Sequence, residues 1–132
     1  AVNKPDPKDA IDVIAKVGGL DIAGMVGCYL GAAICQMPIL IDGFISAVSA
    51  YLACMLNQTA KEYMIPTHCS AEPAAKMIME KLGMEAPLHA GMHLGEGTGA
   101  IMGLSLIDQA LNVYYHVATF EGGHVEAYTH QV

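Results

Sequence analysis

Pro38-Ile39-Leu40-Ile41-Asp42-Gly43 reads as a short, uninterrupted apolar strand that ends in an acidic turn. Continuous branched aliphatics suit a strand covered on both faces, as in a parallel sheet, rather than the alternating pattern of a half-exposed one. Upstream, Leu20 to Cys35 predicts a helix in which Gly24, Gly27 and Gly31 allow close packing. Downstream, Phe44 to about Asn57 predicts another. Helix, buried strand and helix in succession imply an α/β layer arrangement. Asp42 closes the strand at its C-terminal end, which faces the ligand crevice in open α/β sheets. It can orient a ligand there or cap the third helix, and capping is the stronger reading.

Further out the signals are punctuation. Residues 1–6 form a polar lead-in, and Asp6-Pro7 suits the cap and first position of a helix. Ala10, Ile11, Ile14, Ala15 and Val17 give that helix an apolar face, and Gly18-Gly19 ends it. Met64 to His68 reads as a second short strand, which Pro66 confines to an edge or a strand end. Ser70 is placed to cap a helix with Pro73 in its first turn, Met77, Ile78 and Leu82 on its apolar face, and Gly83 at its stop. Met84 to Leu94 fits a strand or an irregular segment, Gly97 to Ala118 a last helix, and 121–132 a flexible tail. Two or three short strands are few for a doubly wound sheet, and no internal repeat supplies more. The expected architecture is therefore a Rossmann-like parallel sheet with flanking helices, present in residues 1–132 as an incomplete, helix-rich portion of a larger α/β domain.

Composition narrows the function. A net charge of −7 argues against nucleic acid as a partner, because phosphate neutralisation needs clustered Lys and Arg. The four cysteines, Cys28, Cys35, Cys54 and Cys69, form no C-x-x-C pair and suggest neither disulfide nor zinc. Six histidines contain no H-E-x-x-H, and only His89 and His93 would share a helical face, so no metal is expected. No signal peptide is visible, which points to the cytoplasm. Ile22–Ile41 and Gly43–Ala60 are uncharged and each long enough to span a bilayer. However, Pro38 interrupts the first, only Asp42 separates the two, and no basic flank marks an inside face. Buried core elements account for both better than a membrane hairpin does.

The chemistry concentrates in Leu94-Gly95-Glu96-Gly97-Thr98-Gly99-Ala100. Glycines on both sides of a carboxylate let the backbone come close to a ligand and adopt angles other residues avoid. Glu96 is a candidate general base facing a cleft, with Met92 and Leu94 as apolar walls; a plain carboxylate at a helix N-terminus is the alternative. Gly95-x-Gly97-x-x-Ala100 also fits a dinucleotide fingerprint, but His89 and His93 spoil the strand that should precede it. Ser70-Ala71-Glu72-Pro73 offers a hydroxyl and N–H groups at a helix start, and Gly18-Gly19 a second possible anion cradle. Neither G-x-S-x-G nor a P-loop is present.

These blocks, in this order, resemble one family. Gly18-Gly19-Leu20-Asp21-Ile22-Ala23, Leu40-Ile41-Asp42-Gly43-Phe44-Ile45, His68-Cys69-Ser70-Ala71-Glu72-Pro73, Leu82-Gly83-Met84-Glu85 and Leu94 to Ala100 together resemble the C-terminal part of the nicotinate-nucleotide–dimethylbenzimidazole phosphoribosyltransferases. The resemblance implies a homodimer that transfers phosphoribose from nicotinate mononucleotide to 5,6-dimethylbenzimidazole in cobalamin lower-ligand synthesis, without a cofactor. It implies Glu96 as general base, Ser70 and the N–H groups after it on the 5′-phosphate, and Leu94 against the base. Cys69 departs from the basic or larger residue that many relatives carry there. The family's N-terminal portion, with a glycine-rich substrate motif and another acidic residue, has no counterpart in the chain, so activity is expected only with that portion supplied. A non-catalytic ligand-binding module or partner subunit that keeps the same crevice is the alternative function.

Overall fold

The computed structural model describes residues 2–123 and Glu126. Two helices, α1 (Ala10–Val17) and α2 (Leu20–Ile34), lead to strand β1 (Ile39–Ile41) and helix α3 (Phe44–Leu56). A 3₁₀ segment (Gln58–Tyr63) then feeds β2 (Met64–Pro66), and helices α4 (Ala75–Leu82) and α5 (Thr98–His116) complete the order. β1 and β2 pair in parallel, with Ile39 opposite Met64 and Ile41 opposite Pro66. β2 ends at Pro66, which has no N–H to continue the ladder. Beyond it a single parallel bridge joins His68 to Leu88, the one trace of a third strand among the described residues, in an otherwise irregular stretch from 84 to 94. The fold is α/β, as expected, with a minimal sheet.

The core is built around α3. Ala47, Ala50 and Ala53 recur at helical spacing and are almost wholly buried, while Leu52 and Cys54 fill the adjoining positions. Small side chains on this helix let α2 and α4 pack close on either side of it, bringing Val26 and Tyr29 from one and Ile78, Met79 and Leu82 from the other into one cluster. Burial pushes the Cys54 thiol up and the Tyr29 hydroxyl up to about 12, although the hydrogen bond with Ser46 opposes the latter. All four cysteines are free thiols.

Four sequence expectations need correction here. α1 starts three residues later than Asp6-Pro7 suggests: Asp9 is its N-cap and accepts from the N–H groups of Ile11 and Asp12. Asp6 instead closes a turn, accepting from Lys8 N–H at 2.9 Å. Of the expected α1 face, Ile11, Ala15 and Val17 are exposed, and Val13 joins Ala10 and Ile14 against the core. Met77 on α4 is likewise exposed, its place on the buried face taken by Met79. Finally, Gly24, Gly27 and Gly31 do not admit a close neighbour: a Cβ on any of them would meet nothing within 4 Å. Gly18 and Gly19 do behave as a cap and a fresh start, with Gly18 N–H donating to the Val13 and Ile14 carbonyls and Gly19 preceding α2. Gly83 stops α4 in the left-handed region as expected. The expected tail begins as an exposed turn at Glu121–Gly123, and most of the rest lies outside the described residues.

No helix among the described residues is long and apolar enough to cross a membrane. No group of three or more His, Cys, Asp or Glu side chains among them is placed to hold a metal ion. His89 and His93 lie in the irregular stretch, so they share no helical face.

Candidate active site

At the C-terminal end of β1 the chain opens into a cleft of about 630 Å³. Its lining joins the first two turns of α2, the first turn of α3, the Ser70–Glu72 loop and the segment from His93 to Gly97. Five of the expected residues beside Glu96 meet there: Asp42, Ser70, Leu94, Gly95 and Gly97. Gly18, Gly19 and Ala71 do not line it. The α1–α2 junction reaches the cleft through Asp21 instead, and the Ala71 N–H is engaged by the Met92 carbonyl at 2.9 Å.

Glu96 sits on an unusual backbone. Gly95, Glu96 and Gly97 have φ of 74°, 55° and 77°, three left-handed residues in a row. The glycines take this without a Cβ penalty, whereas Glu96 is held there at a cost of about 1–2 kcal/mol. Local bonds fix the turn: the Thr98 N–H and Oγ1 both donate to the Gly95 carbonyl, at 3.0 and 2.7 Å. The run leaves the Glu96 side chain exposed at the cleft. The apolar walls expected of Met92 and Leu94 are thin, since Leu94 is itself 73% exposed.

Asp42 caps a helix, but α5 rather than α3. Its Oδ2 accepts from the Gly97 N–H at 3.1 Å and its Oδ1 from the Ala100 N–H at 2.9 Å. Gly97, the N-cap of α5, makes no side-chain cap bond of its own, so the carboxylate from the end of β1 satisfies the free N–H groups and meets the positive end of the helix. Its own N–H donates to Ser46 Oγ at 3.1 Å, and Ser46 pairs with the Tyr29 hydroxyl at 2.6 Å. The strand end, α2, α3 and α5 are thereby joined through one short polar chain.

Ser70 does not cap α4. The N-cap is Ala74 and the helix begins at Ala75, because residues 71–74 form a bend and turn in which Ala75 N–H donates to the Glu72 carbonyl. The Ser70 hydroxyl is directed at the Glu72 carboxylate and lies 3.2 Å from the Met92 carbonyl. Beneath the cleft, His68 is 3% exposed and wedged between Gly43 and Gly99, and its Nδ1 has no hydrogen-bond partner among the described residues. A side chain at Gly99 would overlap that ring, so glycine there is a packing requirement.

Sequence reasoning missed Asp21, Met25, Gly43, Phe44, Ile45, Ser46, Glu72 and His93 among the lining residues. Asp21 and Glu72 had a usable signal, each standing two residues after a motif position already singled out. Among the described residues the lining carries carboxylates from Asp21, Asp42, Glu72 and Glu96 and no lysine. Such a surface accepts hydrogen bonds from N–H and O–H groups on a ligand; an unneutralised phosphate would need cations from outside it.

The fold is that of a phosphoribosyltransferase: residues 1–125 match that family, to which the chain belongs. The chain is 52% identical over 128 residues to the nicotinate-nucleotide–dimethylbenzimidazole phosphoribosyltransferase of Clostridium acetobutylicum, covering 97% of this chain and 36% of that protein. It is 50% identical over 131 residues to the protein of the same name from Acetivibrio thermocellus, covering 99% and 37%. A solved structure of such an enzyme from Thermus thermophilus superposes with a TM-score of 0.86 at 30% identity, covering 96% of this chain and 38% of that one. The chain thus spans little more than a third of the length of the curated relatives it matches.

Proposed function

We propose that this chain carries the acceptor-activating part of an enzyme that transfers phosphoribose from nicotinate mononucleotide to 5,6-dimethylbenzimidazole, in cobalamin lower-ligand synthesis. The observation that carries the reading is the Gly95–Gly97 run, which presents one carboxylate at a cleft of small-molecule size. Names of relatives at about half identity support the same reaction. Glu96 takes the N–H proton of the benzimidazole. The nitrogen lone pair then attacks the anomeric carbon of the ribose while the bond to nicotinate breaks, its electron pair leaving with nicotinate. The anomeric carbon inverts, giving α-ribazole 5′-phosphate. The sugar is oxocarbenium-like at the transition state, so the carboxylates around it also help electrostatically. Leu94 and the neighbouring backbone of Gly95 and Gly97 bound the flat acceptor.

Ser70 stands on the phosphate side of the cleft, and its hydroxyl must leave Glu72 to reach a phosphate oxygen. With no lysine among the described lining residues, most of the phosphate charge falls to groups in the remainder of the longer protein. We infer that the longer protein is a cytoplasmic homodimer, and take its remainder or the second copy as the cover of α5.

A chromatographic turnover assay tests this reading. The chain is incubated with nicotinate mononucleotide and dimethylbenzimidazole, alone and with the separately expressed remainder. Product only in the mixture is the expected result. No product from two folded and associated parts would favour a binding module instead.

A further inference from the structure

We propose that Asp42 is the positioning residue of the site: it sets the place of Glu96 through the backbone and does not itself contact substrate. The inference rests on Glu96 as the base and extends it. Both Asp42 oxygens accept a backbone N–H, one from Gly97 and one from Ala100, so the carboxylate is directed at the start of α5. Gly97 directly follows Glu96, and the bond to it crosses 55 residues of sequence. The Thr98 bonds to Gly95 close the turn on itself but tie it to nothing else. Asp42 is the tie that fixes this left-handed turn to the end of β1. A carboxylate suits the task because one group receives two diverging N–H donors and carries the charge that the helix start favours. The anchor is rigid in turn, since the Asp42 N–H is held by Ser46 and Ser46 by the buried Tyr29 hydroxyl. Loss of the tie frees Glu96 to move relative to the cleft wall, where an error of about 1 Å can cost about 10²-fold in rate.

The test uses the full-length protein. Asp42→Ala, Asp42→Asn, Glu96→Gln and the Asp42→Ala/Glu96→Gln double variant are compared in kcat and in KM for both substrates. Amide hydrogen exchange at Gly97 and Ala100 is followed in parallel. Asp42→Ala should lower kcat by about 10²-fold with KM little changed. Asp42→Asn keeps one acceptor and should recover part of the loss. In the Glu96→Gln background the Asp42 substitution should add nothing, because it acts through a base already removed. Exchange should quicken at both Gly97 and Ala100 in Asp42→Ala, and at one or both of them in Asp42→Asn. Multiplying losses in the double variant, or a raised KM with kcat kept, would make Asp42 a substrate contact and overturn the proposal. Unchanged exchange at Gly97 and Ala100 in Asp42→Asn overturns the positioning claim whatever the base is, and it decides the matter if Asp42→Ala fails to fold. Near-normal turnover by Glu96→Gln instead overturns the assignment of the base, and with it this role for Asp42.

Discussion

Helices α3 and α5 are both rich in apolar residues, yet they are buried in opposite ways. α3 is covered on two sides by α2 and α4, and its alanines vanish into one core. α5 buries only Gly99 and Gly103, both near its start, and displays Ile101, Leu104, Leu111, Val113, Tyr114 and Tyr115 along its length. Its buried glycines are the points where it touches the sheet side, against His68 and Thr67. α3 therefore holds the chain together, whereas the start of α5 positions Glu96 and the rest presents a row of exposed apolar side chains.

The comparison can be strained at each end. The largest loss of stability should follow Leu52→Ala, about 2–5 kcal/mol in urea denaturation, because the α3 core has no slack to close the hole. A small effect there would mean that α3 is not the centre of the fold. On α5, Gly103→Ala puts a Cβ 2.5 Å from Thr67 Cγ2 and should destabilise by about 1–3 kcal/mol. A neutral outcome would show the helix start to be loosely held.

Tyr29 supplies a pH signature of the same core. Its hydroxyl is raised from 10.0 to about 12, so the folded state favours the neutral form. Its contribution is complete below pH 10 and is lost as the pH rises toward about 12, on the order of 2 kcal/mol in all. Tyr29→Phe should flatten that part of the stability profile. The smallest effect distinguishes covered from uncovered glycines. Gly27→Ala on α2 meets open space and should stabilise this chain by about 0.5–1 kcal/mol through helix propensity. The same change in the full-length protein should turn destabilising if the glycine stripe is covered there.

Much of this was legible in the residues themselves. The apolar run at 39–41, the stop at Gly83 and the proline limit at Pro66 set the elements, because each rests on local backbone chemistry. The larger failures were long-range. Ser70 looks like a helix cap until Met92 and Glu72 engage it, and Asp42 looks like the cap of its neighbour until α5 arrives from 55 residues away. His68 gave no sign of its role as a wedge, since only the fold brings Gly43 and Gly99 to its two edges. Motif order grouped residues that for the most part line one cleft, but it did not show the bonding among them.

The most direct measurement is the turnover of Glu96→Gln in the full-length protein, with nicotinate mononucleotide and dimethylbenzimidazole as substrates and both products followed by chromatography. The wild type should release nicotinate and α-ribazole 5′-phosphate in equal amounts. The variant should still bind nicotinate mononucleotide but lose about 10²–10⁴-fold in kcat, the usual share of a general base. Turnover by the variant within a few-fold of wild type would contradict the account.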